Sequence, residues 1–373
     1  MLRVAIDARL LAYQSAGTST YIRGVLEGFR QAGSGIDLLA IVSRKGRTVE
    51  SPDHLARQVA WTPCHHRFER WAFGLELAAL SADVLHSPDF ISPARLGRRW
   101  ARVITVHDLA FLRFPDLLTE DSRRYYGQIA GSCAQAERII AVSEATRQAL
   151  LSLISPDLAP KVVVVPEGVG PEFSPGDPTL AARVVHERFG IDGPYFLFVG
   201  TIEPRKNLPR LIQAFRAFRT RAGQPAVTLV LVGSLGWLAG DTKQAIASAG
   251  DAVHSLGRVE SLDLISLYRG ALALVLVSLD EGFGLPALEA MACGTATIVA
   301  NAGALPEVVG ESGIVVDPGD EDEISDAFLT IFGAPDRRNE LAARGQIRST
   351  AFSWSKVALQ TADVYRQAAA CVS

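Results

Sequence analysis

Short apolar runs alternate with helix-like stretches along all 373 residues, and no other feature narrows the fold as much. A run such as Leu272-Ala273-Leu274-Val275-Leu276-Val277 is too short for a membrane span and has no polar alternation. It reads as a strand buried on both faces, as in a parallel sheet. Candidate strands occupy 3–6, 36–42, 84–87, 102–106, 139–142 and 162–165, then 195–199, 228–232, 253–256, 272–277, 295–300 and 313–316. The length is more than one core usually holds. The stretch Pro171-Glu172-Phe173-Ser174-Pro175-Gly176-Asp177-Pro178 reads as the linker. The expected fold is therefore α/β, with two doubly wound Rossmann-like domains facing across a cleft. They occupy 1–172 and 173–354, and a C-terminal helix, 355–373, packs back toward the first. In open sheets of this kind ligands bind beyond the carboxyl ends of the strands.

Charge and cysteine content exclude several classes. The first 170 residues carry 20 Lys and Arg against 17 Asp and Glu, the rest 17 against 23, too mild an imbalance for a nucleic-acid binder. Cys64, Cys133, Cys293 and Cys371 lie far apart without metal-ligand spacing, so the expectation is a reduced cytoplasmic protein with no structural metal. The Met1-Leu2-Arg3-Val4 opening has no signal-peptide layout. Arg95, Arg98, Arg99 and Arg102, with Trp100 among them, could meet anionic lipid headgroups through the N-terminal domain, and equally form a solvated loop.

Four stretches place reactive side chains at strand ends. Ala16-Gly17-Thr18-Ser19-Thr20 stands at a helix N-terminus, where Gly17 lets a phosphate or sugar approach or simply turns the chain. His107-Asp108 follows strand 102–106; the histidine can bond a sugar hydroxyl and the aspartate can orient it or stay structural. His65-His66 has no such placement and reads as loop. After strand 195–199 comes Gly200-Thr201-Ile202-Glu203-Pro204-Arg205-Lys206-Asn207, with Asn207 a helix cap. Two adjacent cations at a helix N-terminus oppose the dipole unless an anion shares the site, which suits a diphosphate. Glu281-Gly282-Phe283-Gly284-Leu285-Pro286 then leads into a helix carrying Glu289. The amides of Phe283, Gly284 and Leu285 suit an anionic or hydroxyl-rich ligand, or the stretch is a plain strand–helix corner with two solvated glutamates.

Together these stretches resemble the retaining glycosyltransferases of family 4, which have the GT-B fold. The motifs are Glu281-x7-Glu289 around Phe-Gly-Leu-Pro, Gly200 to Asn207, Val106-His107-Asp108 and Ile6-Asp7-Ala8-Arg9-Leu10, in the family's order over essentially the whole chain. The resemblance implies that Arg205 and Lys206 bind the donor diphosphate in place of a metal and without a cofactor. It gives Glu289 to the ribose and Glu281, with the 283–285 amides, to the donor sugar. His107, neutral, would contact the sugar near the reacting carbon, Gly17 the phosphates or acceptor, and Arg258 and Val259 the base. The mannosyltransferase-like opening implies GDP-mannose, with UDP-glucose as the other donor, and a saccharide or polyprenyl-linked acceptor. The chain departs from the family at Ser19, where a second glycine is usual, and at Pro166-Glu167-Gly168, where Pro-Asn-Gly is usual. A nucleotide-sugar epimerase, a phosphorylase and a non-catalytic sugar-nucleotide subunit are the competing readings; a dinucleotide-binding dehydrogenase lacks its glycine fingerprint.

Overall fold

The computed structural model describes residues 1–13, 16–46, 55–66, 68–94, 100–236 and 238–372. It divides into two compact units, Met1–Gly168 with Phe352–Ser373, and Val169–Ala351. The first holds a seven-stranded sheet of β1 (Leu2–Asp7), β2 (Ile36–Ser43), β3 (Ala56–Ala60), β4 (Val84–Ser87), β5 (Ala101–Val106), β6 (Arg138–Ala141) and β7 (Val162–Val164). The strands are parallel and ordered β3-β2-β1-β4-β5-β6-β7. The second holds β8 (Tyr195–Val199), β9 (Thr228–Val232), β10 (Val253–Gly257), β11 (Ala273–Leu276), β12 (Ala296–Ala300) and β13 (Ile314–Val316). These are also parallel, ordered β10-β9-β8-β11-β12-β13. Each sheet thus reverses its order once, between β1 and β4 and between β8 and β11, and such a reversal opens a crevice at the strand ends. Only β3 has no counterpart in the apolar pattern: Ala-Arg-Gln-Val-Ala is an outer strand with its first two residues exposed, so it needs no apolar run.

Helix packing in the first unit depends on missing side chains. Gly24 and Gly28 lie one turn apart on the helix Ala16–Ala32, and a Cβ at either would come within 2.1 Å of Trp354. Trp354 begins the C-terminal helix Trp354–Ala369, which thereby lies directly on the first helix. A buried polar chain runs beneath. Tyr365 meets His86 Nδ1 at 2.7 Å, His86 Nε2 meets Thr105 Oγ1 at 2.8 Å, and Thr105 meets the Tyr21 hydroxyl at 3.1 Å. Burial, then the nearby His107, hold His86 down at about 3, so it stays neutral.

The second unit closes over aromatic rings: Phe196, Phe215, Phe218 and Phe328 are all fully buried and in mutual contact. The stretch 171–178 belongs to this unit. Arg269 Nε donates to the Ser174 carbonyl at 2.8 Å, and Asp177 caps the helix Pro178–Phe189 by accepting from Thr179 N. The sequence passes between the units at 168/169 and 351/352. Among the described residues no helix is long and apolar enough to cross a membrane.

Candidate active site

In the second unit the reactive side chains gather where β8 and β11 part. Past β8, Pro204–Lys206 forms one 3-10 turn and Asn207 takes a left-handed conformation (φ 57°) before the helix Leu208–Ala222. Contrary to the sequence expectation, Asn207 does not cap that helix with its side chain. Its Nδ2 donates instead to the carbonyls of Val277 (3.1 Å) and Pro318 (2.8 Å), tying the turn to the exit of β11. Leu279 N donates to the Arg205 carbonyl at 2.9 Å, a second stitch between the same two exits.

The two cations are already paired. Lys206 Nζ donates to Glu281 Oε1 at 2.5 Å, and Ser278 Oγ to the same oxygen at 2.8 Å. Arg205 donates from Nη1 to the Asp280 carbonyl (2.6 Å) and Glu281 Oε2 (3.2 Å), and from Nη2 and Nε to Glu203 (2.9 and 3.2 Å). Glu203 and Glu281 thus each accept from these cations. Glu203 was invisible to the sequence reasoning because its partner's orientation is set by folding. Burial alone would raise the Glu281 pKa, but attraction by Lys206 and Arg205, then hydrogen bonds from Lys206 and Ser278, take it down to about 2.

Glycine permits the corner its shape at two positions. Gly284 has φ 100° and precedes the helix Leu285–Ala292, and a Cβ there would come within 2.6 Å of Leu305. Gly303 has φ 55°, and its Cβ would lie 2.2 Å from the Glu281 carbonyl, whose oxygen accepts from Ala304 N at 2.8 Å. Phe283 is buried, while Glu289, half-buried, accepts from the Tyr268 hydroxyl at 2.7 Å. Gly200 ends β8 against Gly233, where a Cβ would strike the Gly200 carbonyl. Arg258 (exposed) and Val259 (half-buried) follow β10, an outer strand of the sheet.

In the first unit His107 stands at the end of β5 with both ring nitrogens engaged. Nδ1 lies 2.9 Å from Glu167 Oε1 and Nε2 lies 2.8 Å from the Pro88 carbonyl oxygen. Burial lowers its pKa, yet the bond to and charge of Glu167 outweigh that, with help from the Pro88 carbonyl and Asp89, so the pKa is raised. This direction runs against the neutral ring that the family resemblance implies. Glu167 is sixty positions away in sequence, so no local pattern pointed to this pair. Asp108 turns away and accepts from Ala110 N at 3.1 Å. Gly17 lies in the first turn of Ala16–Ala32, exposed, with open space around it.

The Asp7-Ala8-Arg9 opening is a buried lock. Arg9 donates to Asp7 (2.8 and 2.7 Å), Glu69 (2.7 Å) and the Thr62 carbonyl (2.9 Å), with its guanidinium 3.4 Å over the Phe73 ring. Arg95, Arg98 and Arg99 lie outside the described residues. Trp100 is fully buried and Arg102 nearly so, donating to Gln135 at 2.6 Å; these two do not form a lipid-facing surface.

Comparison with known proteins bears on all of this. Residues 185–348 match the family described as Glycosyl transferases group 1, and residues 15–173 the one described as Glycosyltransferase Family 4. The O-antigen chain mannosyltransferase B of Escherichia coli is 32% identical over 335 residues, covering 88% of this chain and 82% of that protein. This chain belongs to glycosyltransferase family 4. Two solved structures show the same GT-B fold. Sucrose-phosphate synthase from Thermosynechococcus elongatus superposes with a TM-score of 0.79 at 22% identity, covering 100% of both chains. Anabaena Alr3699/HepE, in complex with UDP-glucose, gives 0.77 at 18% identity, covering 97% of this chain and 99% of that one. As a glycosyltransferase the chain handles a nucleotide-sugar donor. Among its described residues no group of three or more His, Cys, Asp or Glu could hold a metal ion.

Proposed function

We propose that this glycosyltransferase moves mannose from GDP-mannose to a saccharide or polyprenyl-linked acceptor in cell-surface polysaccharide synthesis. The anomeric configuration is retained and no metal takes part. The observation that carries the reading is the cluster of Arg205, Lys206 and Glu281 at the β8/β11 reversal, the place in an open sheet where a nucleotide's phosphates are bound. When the anomeric carbon–oxygen bond breaks, its electron pair goes to the diphosphate. Arg205 and Lys206 are the cations that stabilise it, supplying the charge a divalent metal would otherwise bring. The acceptor hydroxyl attacks the anomeric carbon from the face the leaving group vacates, and its proton passes to the departing phosphate oxygen.

The remaining assignments follow from position. Glu281, held between the two cations, keeps them in place and, with the amides of Phe283, Gly284 and Leu285 at the start of a helix, takes the sugar hydroxyls. Glu289, oriented by Tyr268, takes the ribose, and Arg258 with Val259 the base. Gly200 lets the donor approach the turn; Gly17 and His107 take the substrate roles that the family resemblance implies, and Asp108, bonded to Ala110 N, the structural one. Mannose as the sugar is supported by the O-antigen mannosyltransferase at 32% identity.

A UDP-glucose donor is the second reading, favoured by the UDP-glucose-bound structural neighbour. A thermal-shift and hydrolysis screen of nucleotide sugars separates the two, because a bound donor raises the melting temperature by mass action. Stabilisation by GDP-mannose above UDP-glucose supports the proposal, and the reverse ranking overturns the donor. Binding without transfer over a broad acceptor panel identifies a non-catalytic subunit.

A further inference from the structure

Glu167 occupies the position where the chain departs from the family's Pro-Asn-Gly pattern, and the transfer chemistry above makes no use of it. Its carboxylate is nearly inaccessible, with the residue 4% exposed. Its backbone is fixed on both sides. Val165 N donates to the Ala141 carbonyl at 2.9 Å, and at Gly168 a Cβ would come within 2.6 Å of Trp354 N, so only glycine fits there. The carboxylate points at His107, with Oε1 2.9 Å from the ring nitrogen.

The ring's protonation follows from its partners. A backbone carbonyl can only accept, so the nitrogen facing Pro88 carries a proton; the nitrogen facing Glu167 carries another whenever that carboxylate is ionised, since it can then only accept. Other groups around the ring agree with this. Tyr21 meets it edge-on at 4.9 Å and spends its hydroxyl on Thr105. Asp89, just past β4, adds negative charge, while His86 on β4 is neutral and engaged elsewhere. A side chain so held has no lone pair left to take a proton from an acceptor hydroxyl.

We propose that Glu167 is a positioning residue for sugar transfer: it clamps His107 in one orientation and in its doubly protonated form, so that the ring acts on the substrate as a fixed cation and not as a base. The proposal rests on the reading that His107 serves the transfer reaction. It also accounts for the acceptor's proton, which then goes to the departing phosphate oxygen.

The test is the Glu167→Gln variant, whose amide oxygen can still accept from Nδ1 but carries no charge. In the wild-type full chain, nitrogen-15 NMR of labelled histidines should show both His107 ring nitrogens protonated at neutral pH, and kcat should fall as pH rises through the His107 titration. Glu167→Gln should move the titration and the fall in kcat together to lower pH. It should reduce kcat at pH 7.5 by about tenfold, the worth of one charge-assisted hydrogen bond, with donor KM changed less than about twofold. Glu167→Asp should restore part of both, which separates the effect from misfolding. A His107 titration unmoved by Glu167→Gln overturns the proposal, and so does a wild-type kcat that rises as His107 loses its proton. Absence of transfer from every donor would instead overturn the proposed function, while the NMR titration still judges the clamp.

Discussion

Glu167 in the first unit and Glu281 in the second each lie buried against a cationic side chain at the carboxyl end of their sheet, and the two differ in what they hold. Glu281 lies between Arg205 and Lys206, whose charges are permanent across the physiological range. Glu167 holds His107, whose charged form it favours and whose charge depends on pH. The cations of the second unit thus keep their charge across pH near neutrality. The first unit offers a charge that pH can remove. One architecture, a carboxylate beneath a strand end, yields a constant field in one unit and a titratable field in the other.

Variants can break this contrast. The largest effect is expected for Lys206→Ala, which should lower donor turnover by about a hundredfold or more when assayed well below the variant's melting temperature; unchanged turnover would remove Lys206 from the phosphate site. Glu281→Gln leaves both cations without their shared counter-ion in a largely buried turn, and should cost about 3 kcal/mol of stability by urea denaturation. A cost near zero would mean that the pair is only a surface contact. Gly303→Ala combines a positive φ with a clash against the Glu281 carbonyl, and should cost about 2 kcal/mol and loosen the same corner.

The smallest effect concerns stability against pH, and here the two glutamates should act at opposite ends. Glu281 has a depressed pKa, so its contribution is present above the ordinary carboxylate value of 4.5 and is lost as pH falls toward about 2. His107 has a raised pKa, so its contribution is complete below 6.5 and is lost as pH rises through the folded-state value. The stability gap between wild type and His107→Gln should therefore shrink on the alkaline side, and the gap for Glu281→Gln on the acid side. Parallel gaps at all pH values would erase the distinction between the units.

Local periodicity carried the architecture well, because a strand buried on both faces must be apolar along its length; twelve of the thirteen strands announce themselves this way. The exception, β3, is an outer strand with polar residues. The corner from β11 into Leu285–Ala292 was legible for the same reason, since strand, glycine turn and Pro286 are consecutive in sequence. What no window of sequence could reveal was pairing at long range. Arg205 with Glu281, and His107 with Glu167, become neighbours only when the sheet brings distant strand ends side by side. The anchoring of the proline-rich stretch was hidden for a related reason. Proline and glycine mark where a chain bends, but the bond from Arg269 to Ser174, which anchors the bend, comes from 95 residues away.

The fit of Trp354 against Gly24 and Gly28 has a consequence for biosynthesis. The helix Ala16–Ala32 finds the partner that fills its glycine groove only after more than three hundred further residues have been made. The second unit, continuous in sequence, has all its strands and helices by then and is free to fold first. Until Trp354 arrives, the nascent first unit carries an uncovered apolar seam. Chaperone capture and aggregation during slow translation should therefore concentrate on this N-terminal segment.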